Sequence, residues 1–156
     1  MSIITLIGVD PGIVDTGAVK FSFDPDQLTV SVTAEKLLGS DPEPIEEYVK
    51  QNAGDRTIVV VEAYRDRGTV FNTHGTMRQI EAALRRSLPD VQILDNTGVK
   101  KVVTKSLMQL LGCWDFPTVT HHQDLRSAAR IALLGALKDP DLNSIVTRIV
   151  MKQLGK

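Results

Sequence analysis

One cysteine in 156 residues leaves no partner for an internal disulfide. That points to a reducing compartment. No reactive-thiol motif surrounds Cys113, so it reads as a small buried hydrophobe. No apolar run reaches the roughly 18 residues that a bilayer crossing needs, and no secretory leader pattern is visible. The expectation is a soluble, cytoplasmic protein with no membrane partner. Internal repeats and low-complexity segments are also missing, which leaves one domain over residues 1–156. An excess of charge of one sign is missing too. Eighteen Lys and Arg face nineteen Asp and Glu, so whole-chain charge selects no partner and any electrostatic attraction must come from local clusters.

What is present begins with Ile3-Ile4-Thr5-Leu6-Ile7-Gly8-Val9-Asp10-Pro11-Gly12. The apolar run reads as a fully buried strand, and Pro11-Gly12 breaks it just after Asp10. An unpaired buried carboxylate costs several kcal/mol. A strand that ends on one therefore needs a metal, a cation or a catalytic role, or uses the side chain to cap the turn. Thr16–Phe23 and Leu28–Ala34 alternate as two more strands joined by the Asp24-Pro25-Asp26 turn, a meander. Ser40 or Asp41, then Pro42 and Glu43, start a helix over 43–53 that ends near Gly54.

Thr57-Ile58-Val59-Val60-Val61 is a β-branched run typical of a central strand covered on both faces. It runs straight into Glu62, a second strand-end acid. Residues 74–88 have helical periodicity, with Arg78, Arg85 and Arg86 off the apolar side. Val91–Leu94 is a short strand. Asn96 or Thr97 can cap a helix through Val99, Val102, Val103, Leu107 and Leu110, with Lys100, Lys101 and Lys105 on another face. Trp114-Asp115-Phe116-Pro117 breaks that pattern. Thr120 can then cap a long helix from about His121, with Leu125, Ala128, Ala129, Ala132, Leu133, Ala136 and Leu137 as its apolar face. A last helix spans about 141–154. The class is α/β: three antiparallel strands, then parallel ones, in a five-stranded mixed sheet with helices on both faces.

If the strands at 3–9 and 57–61 are neighbours, Asp10 and Glu62 leave the sheet side by side. Two such carboxylates either share a proton or hold a cation, and Mg²⁺ or Mn²⁺ suits hard oxygen ligands. His121 and Asp124, spaced i, i+3 at a helix start, share a face and can reach the same centre. His122 competes with His121 but lies about 100° round the helix from it. Two ions would activate a water and stabilise the leaving oxygen of a phosphodiester. His121 is then either a ligand or a proton carrier.

Taken together, Gly8-Val9-Asp10-Pro11-Gly12 with Thr16-Gly17, Val61-Glu62, Val99-Lys100-Lys101-Val102-Val103-Thr104, and His121-x-x-Asp124 running into Ala128-x-x-Ile131-Ala132-Leu133 resemble the RuvC-type Holliday-junction resolvases of the ribonuclease H-like superfamily. The resemblance spans about residues 3–138. Its compactness and divergence look more like a phage-borne member than a bacterial housekeeping one. It implies a homodimer that binds four-way DNA junctions and nicks two strands with Mg²⁺ or Mn²⁺, two ions per site. Asp10, Glu62, Asp124 and His121 match the catalytic and metal-binding positions. Lys100, Lys101 and Lys105 fall in the segment that contacts DNA, and Arg65, Arg67 and Arg78 add positive charge. The family carries Gln and then an aromatic wedge after the second acid; here Ala63 and Tyr64 follow, so Tyr64 and Phe71 are the wedge candidates. Lys105 also replaces the family's glycine after Thr104. The other readings are a nuclease for flaps or RNA–DNA hybrids and a junction-binding protein without catalysis. An actin-like nucleotide-binding fold would need a second subdomain, for which 156 residues leave no room.

Overall fold

The computed structural model describes residues 2–64, 74–117 and 122–155, the side chain of His74 excepted. Arg65, Arg67, Phe71, Thr120 and His121 lie outside the described residues. The strands are β1 (Ile4–Asp10), β2 (Asp15–Asp24), β3 (Thr29–Leu38), β4 (Arg56–Glu62) and β5 (Gln92–Leu94). The helices are α1 (Glu43–Asn52), α2 (His74–Ser87), α3 (Val99–Val102), α4 (Lys105–Leu111), α5 (Gln123–Lys138) and α6 (Pro140–Gln153). The sheet order is β3-β2-β1-β4-β5. β1 runs antiparallel to β2 and parallel to β4, and β4 is parallel to β5. This is the mixed five-stranded sheet expected from the sequence.

The register follows from burial. Strand β1 is central, and every residue from Ile4 to Val9 is buried. Its two faces alternate between two cores. Ile4 and Leu6 join Val19, Phe21, Phe23 and Val60 beneath α3, α4, α5 and α6. Ile7 and Val9 join Ala18, Val59 and Val61 beneath α1 and α2. Edge strand β3 alternates exposed with half-buried residues, as a strand with one wet face should.

Close approach sets where α5 lies. A Cβ placed on Gly8 would sit 2.2 Å from the Ala128 carbonyl oxygen and 2.6 Å from the Ala132 Cβ. Only glycine on the strand and alanine on the helix let these backbones meet. The expected apolar face of α5 is buried at Leu125, Ala128, Ala129, Ala132, Leu133 and Ala136; Leu137 is half-buried against the same core.

Several boundaries differ from the sequence-based expectation. The lysine-bearing helix is two helices, α3 and α4. Val103 leaves helical geometry, and the Thr104 hydroxyl accepts the Leu107 N–H to start α4 afresh. Thr104 thus acts as an N-cap within what hydropathy alone makes a continuous helix. Neither Asn96 nor Thr97 caps α3, whose N-cap is Gly98 at φ 72°; the Thr97 hydroxyl and N–H both donate to Asp95 instead. Helix α5 begins at Gln123, two residues later than its periodicity predicts, with His122 at the N-cap. Asp139 caps α6 by accepting from the N–H groups of Asp141 and Leu142.

Candidate active site

Parallel pairing of β1 with β4 places Val9 opposite Val61. The next residues along, Asp10 and Glu62, therefore emerge side by side at the same edge of the sheet. Their carboxyls are hydrogen-bonded to one another. Burial first, then this hydrogen bond, then the charges of Glu62 and Asp124 push Asp10 up from 3.8 to about 9. Burial and the neighbouring negative charges thus oppose ionisation of Asp10.

Asp124 reaches this edge through backbone packing. Gly17 on β2 pairs with Asp10. A Cβ on Gly17 would lie 2.4 Å from the Asp124 carbonyl oxygen and 3.1 Å from its Cβ. Gly8 and Gly17 together let α5 press its first turn onto the strands beside Asp10. Asp124 lies in that first turn, where the helix N-terminus favours negative charge. The third acid is thus within electrostatic reach of Asp10, as the shift shows. Among the described residues, no three His, Cys, Asp or Glu side chains close around a single point.

Asn96 was read from sequence as a helix cap, yet its amide Nδ2 donates to Glu62 Oε1 at 2.6 Å. That bond fixes one Glu62 oxygen and leaves the other for Asp10 or a cation. No sequence signal marks this role, because it depends on β5 ending next to β4. The Thr16 hydroxyl, buried at 1 % exposure, accepts the Gly12 N–H at 3.2 Å and holds the turn behind Asp10. Tyr64 donates its backbone N–H to Glu81 Oε2 at 3.0 Å, and its side chain packs against the core beneath α1 and α2.

Lys100, Lys101 and Lys105 are exposed on α3 and α4. Arg78 is exposed on α2, which packs on the opposite face of the sheet. Exposed positive side chains are thus carried by helices on both faces of the sheet.

Neither a protein-family profile nor a curated protein matches the sequence. Solved structures do match. Thermus thermophilus RuvC in complex with a Holliday junction substrate aligns with a TM-score of 0.60 at 15% identity, over 95% of this chain and 96% of that one. A second Thermus thermophilus RuvC structure gives 0.56 at 16% identity over the same shares. The chain has the ribonuclease H-like fold of RuvC. The fowlpox virus Holliday junction resolvase also shares the fold, with a TM-score of 0.50 at 13% identity over 88% of this chain and 98% of that one. On this RuvC-like fold, the described acids sit where β1, β4 and the start of α5 meet.

The donor set fits a hard divalent cation. It consists of carboxylates, two of which lie within hydrogen-bonding reach of each other and oppose each other's charge. Mg²⁺ or Mn²⁺ between them would satisfy both at once.

Proposed function

We propose that this protein is a metal-dependent DNA endonuclease that resolves Holliday junctions and related branched DNA by hydrolysing phosphodiester bonds, acting as a cytoplasmic homodimer. One observation carries the reading: Asp10 and Glu62 lie at the adjacent ends of two parallel strands, within hydrogen-bonding reach of one another, with Asp124 held beside them by the seat of α5 on Gly17. The fold shared with two junction resolvases supports the choice of substrate.

Asp10, Glu62 and Asp124, with His121 as a fourth candidate, would hold Mg²⁺ or Mn²⁺, two ions in the two-metal reading. Such ions, once bound, supply an activated water and charge stabilisation for the leaving oxygen. The chain's own groups do the rest. Asn96 orients Glu62 from outside the carboxylate set, a role that sharpens metal affinity. His121 carries the proton of the attacking water or serves as a ligand. Lys100, Lys101 and Lys105, with Arg65, Arg67 and Arg78, draw the DNA backbone toward an acidic centre that would otherwise repel it. Tyr64 and Phe71 are the candidates for opening the junction.

The test is cleavage of an immobile, end-labelled four-way junction in EDTA, Mg²⁺ and Mn²⁺, beside linear duplex, a flap and an RNA–DNA hybrid of the same sequence. Paired symmetric nicks that need metal, spare the duplex and vanish in Asp10→Asn and Glu62→Gln are expected. Equal cleavage by those variants would overturn the assignment. Cleavage of every branched form would widen the substrate to branched DNA in general.

A further inference from the structure

Three cations surround one indole. Arg126 Cζ lies 3.9 Å from the Trp114 ring centroid, Lys105 Nζ 4.9 Å and Arg130 Cζ 5.5 Å. They come from two helices, and the tryptophan comes from the loop between them. Backbone carbonyls aim the guanidinium groups: Arg126 Nε donates to the Trp114 oxygen at 2.8 Å, and Arg130 Nε donates to the Val103 oxygen at 3.3 Å. Among the described residues, the only acidic group in salt-bridge range of these cations is Asp115, 3.5 Å from Arg126 and itself 79% exposed.

Crowding like charges costs free energy. Burial, then the neighbouring charge of Arg126, lowers the affinity of Arg130 for its proton. Cation–π contact with the indole offsets part of that cost, but a bound anion would offset it better. A shallow groove of about 230 Å³ runs alongside, lined by Gln109, Gly112, Trp114 and Asp115. Exposed Lys100 and Lys101 extend the positive surface on α3. At helical spacing, Arg126 and Arg130 lie about 200° and 240° round α5 from Asp124. The cluster therefore faces away from the acids and takes no part in their chemistry.

We infer that Trp114 is the scaffold of a phosphate clamp in which Lys105, Arg126 and Arg130 grip the DNA backbone on the face of α5 turned away from the acids. The inference rests on the nuclease reading and adds Trp114, Arg126 and Arg130 to the DNA-contacting set. The clamp reads charge and spacing, not bases, so it sets affinity and register on the strand.

The experiment is binding of a fluorescent four-way junction and of duplex DNA in EDTA, where nothing is cut, over a range of salt. Each lost phosphate contact lowers the slope of log affinity against log salt by about 1. Lys105→Gln, an exposed side chain, should lower it by about 1, and the Lys105→Gln/Arg130→Gln pair by about 2, on both DNAs. Trp114→Leu should lower the slope through loss of the scaffold, and Trp114→Phe should restore most of it. Melting temperatures of all variants are read in parallel. If Trp114→Leu melts earlier but every variant keeps the wild-type slope, the cluster only braces the loop, and the clamp is wrong while the nuclease reading stands. If the wild type binds neither DNA, the reading of function falls and takes the clamp with it. Loss of cleavage alone leaves this binding test intact.

Discussion

Replacing Asp10 with asparagine should stabilise the metal-free protein while abolishing its activity. The native carboxyl is pushed up to about 9, whereas the unfolded chain ionises it near 3.8. Between those values the native state holds a proton that the unfolded state has released, so stability falls as pH rises. This contribution is fully present below about 3.8 and is lost as pH climbs through about 9. Each pH unit is a factor of ten in that equilibrium, which makes the cost roughly 4 kcal/mol at pH 7. An effective dielectric nearer 20 than 4 at a partly exposed strand end reduces it to about 1–3 kcal/mol. Asparagine keeps a donor for Glu62 and carries no such cost. In EDTA at about pH 8, Asp10→Asn should melt roughly 2–10 °C above wild type, and the gap should close toward about pH 4. Mn²⁺ should reverse the order, raising the wild-type melting temperature far more than that of the variant, because the ion would satisfy both carboxylates at once. Circular-dichroism melts across pH, with and without Mn²⁺, make the measurement. The reasoning is refuted if Asp10→Asn melts below wild type at about pH 8 in EDTA, or if the gap ignores pH.

Other substitutions probe separate links. Asn96→Ala removes the donor to Glu62 Oε1 and should weaken Mn²⁺ affinity by about 10–100-fold, measured by calorimetric titration, with a small change in melting temperature; unchanged affinity would make Asn96 a bystander. Gly8→Ala places a Cβ 2.2 Å from the Ala128 oxygen and should cost about 1–3 kcal/mol or more in urea melts. Gly17→Ala, against the Asp124 backbone, should depress metal affinity more than Gly8→Ala does. Thr104→Ala removes the cap that starts α4 and should cost about 1 kcal/mol. Cys113 is fully buried, and burial pushes its thiol up to about 12, so it should resist a thiol reagent until the protein unfolds.

Much of the fold was legible because burial writes directly into residue type. The runs Ile3–Val9 and Thr57–Val61 have no polar face, and both strands prove central or covered. The alanine stripe of α5 announced a close approach, and Gly8 and Gly17 are its other half. Where propensity met a local hydrogen bond, the bond won. Thr104 splits a hydropathically continuous helix because its hydroxyl satisfies the Leu107 N–H, and Thr97 turns back to Asp95. The pairing of Asp10 with Glu62 followed from strand adjacency, which two strand-end acids suggest. Asn96 and the Trp114 cluster did not follow, because each depends on where a loop returns in space. Trp114 read only as a helix breaker; its carbonyl and ring instead aim Arg126 from α5.

The glycines and the acids are parts of one device. Three carboxylates gather at a sheet edge only if something holds them against their repulsion before a cation arrives. A hydrogen bond from Asn96 holds Glu62, and a hydrogen bond between the two carboxyls holds Asp10 to it. Asp124 is placed by backbone: Gly8 lets α5 come close to β1, and Gly17 lets its first turn come close to β2. The energy for this comes from the apolar face of α5, whose burial of Leu125, Ala128, Ala129, Ala132 and Leu133 is worth several kcal/mol at about 25 cal/mol per Å². Core packing thus carries the electrostatic strain of the site. A substitution that loosens α5, even at Gly8 on the far side of the turn, should therefore be felt at Asp124 before it is felt in the sheet.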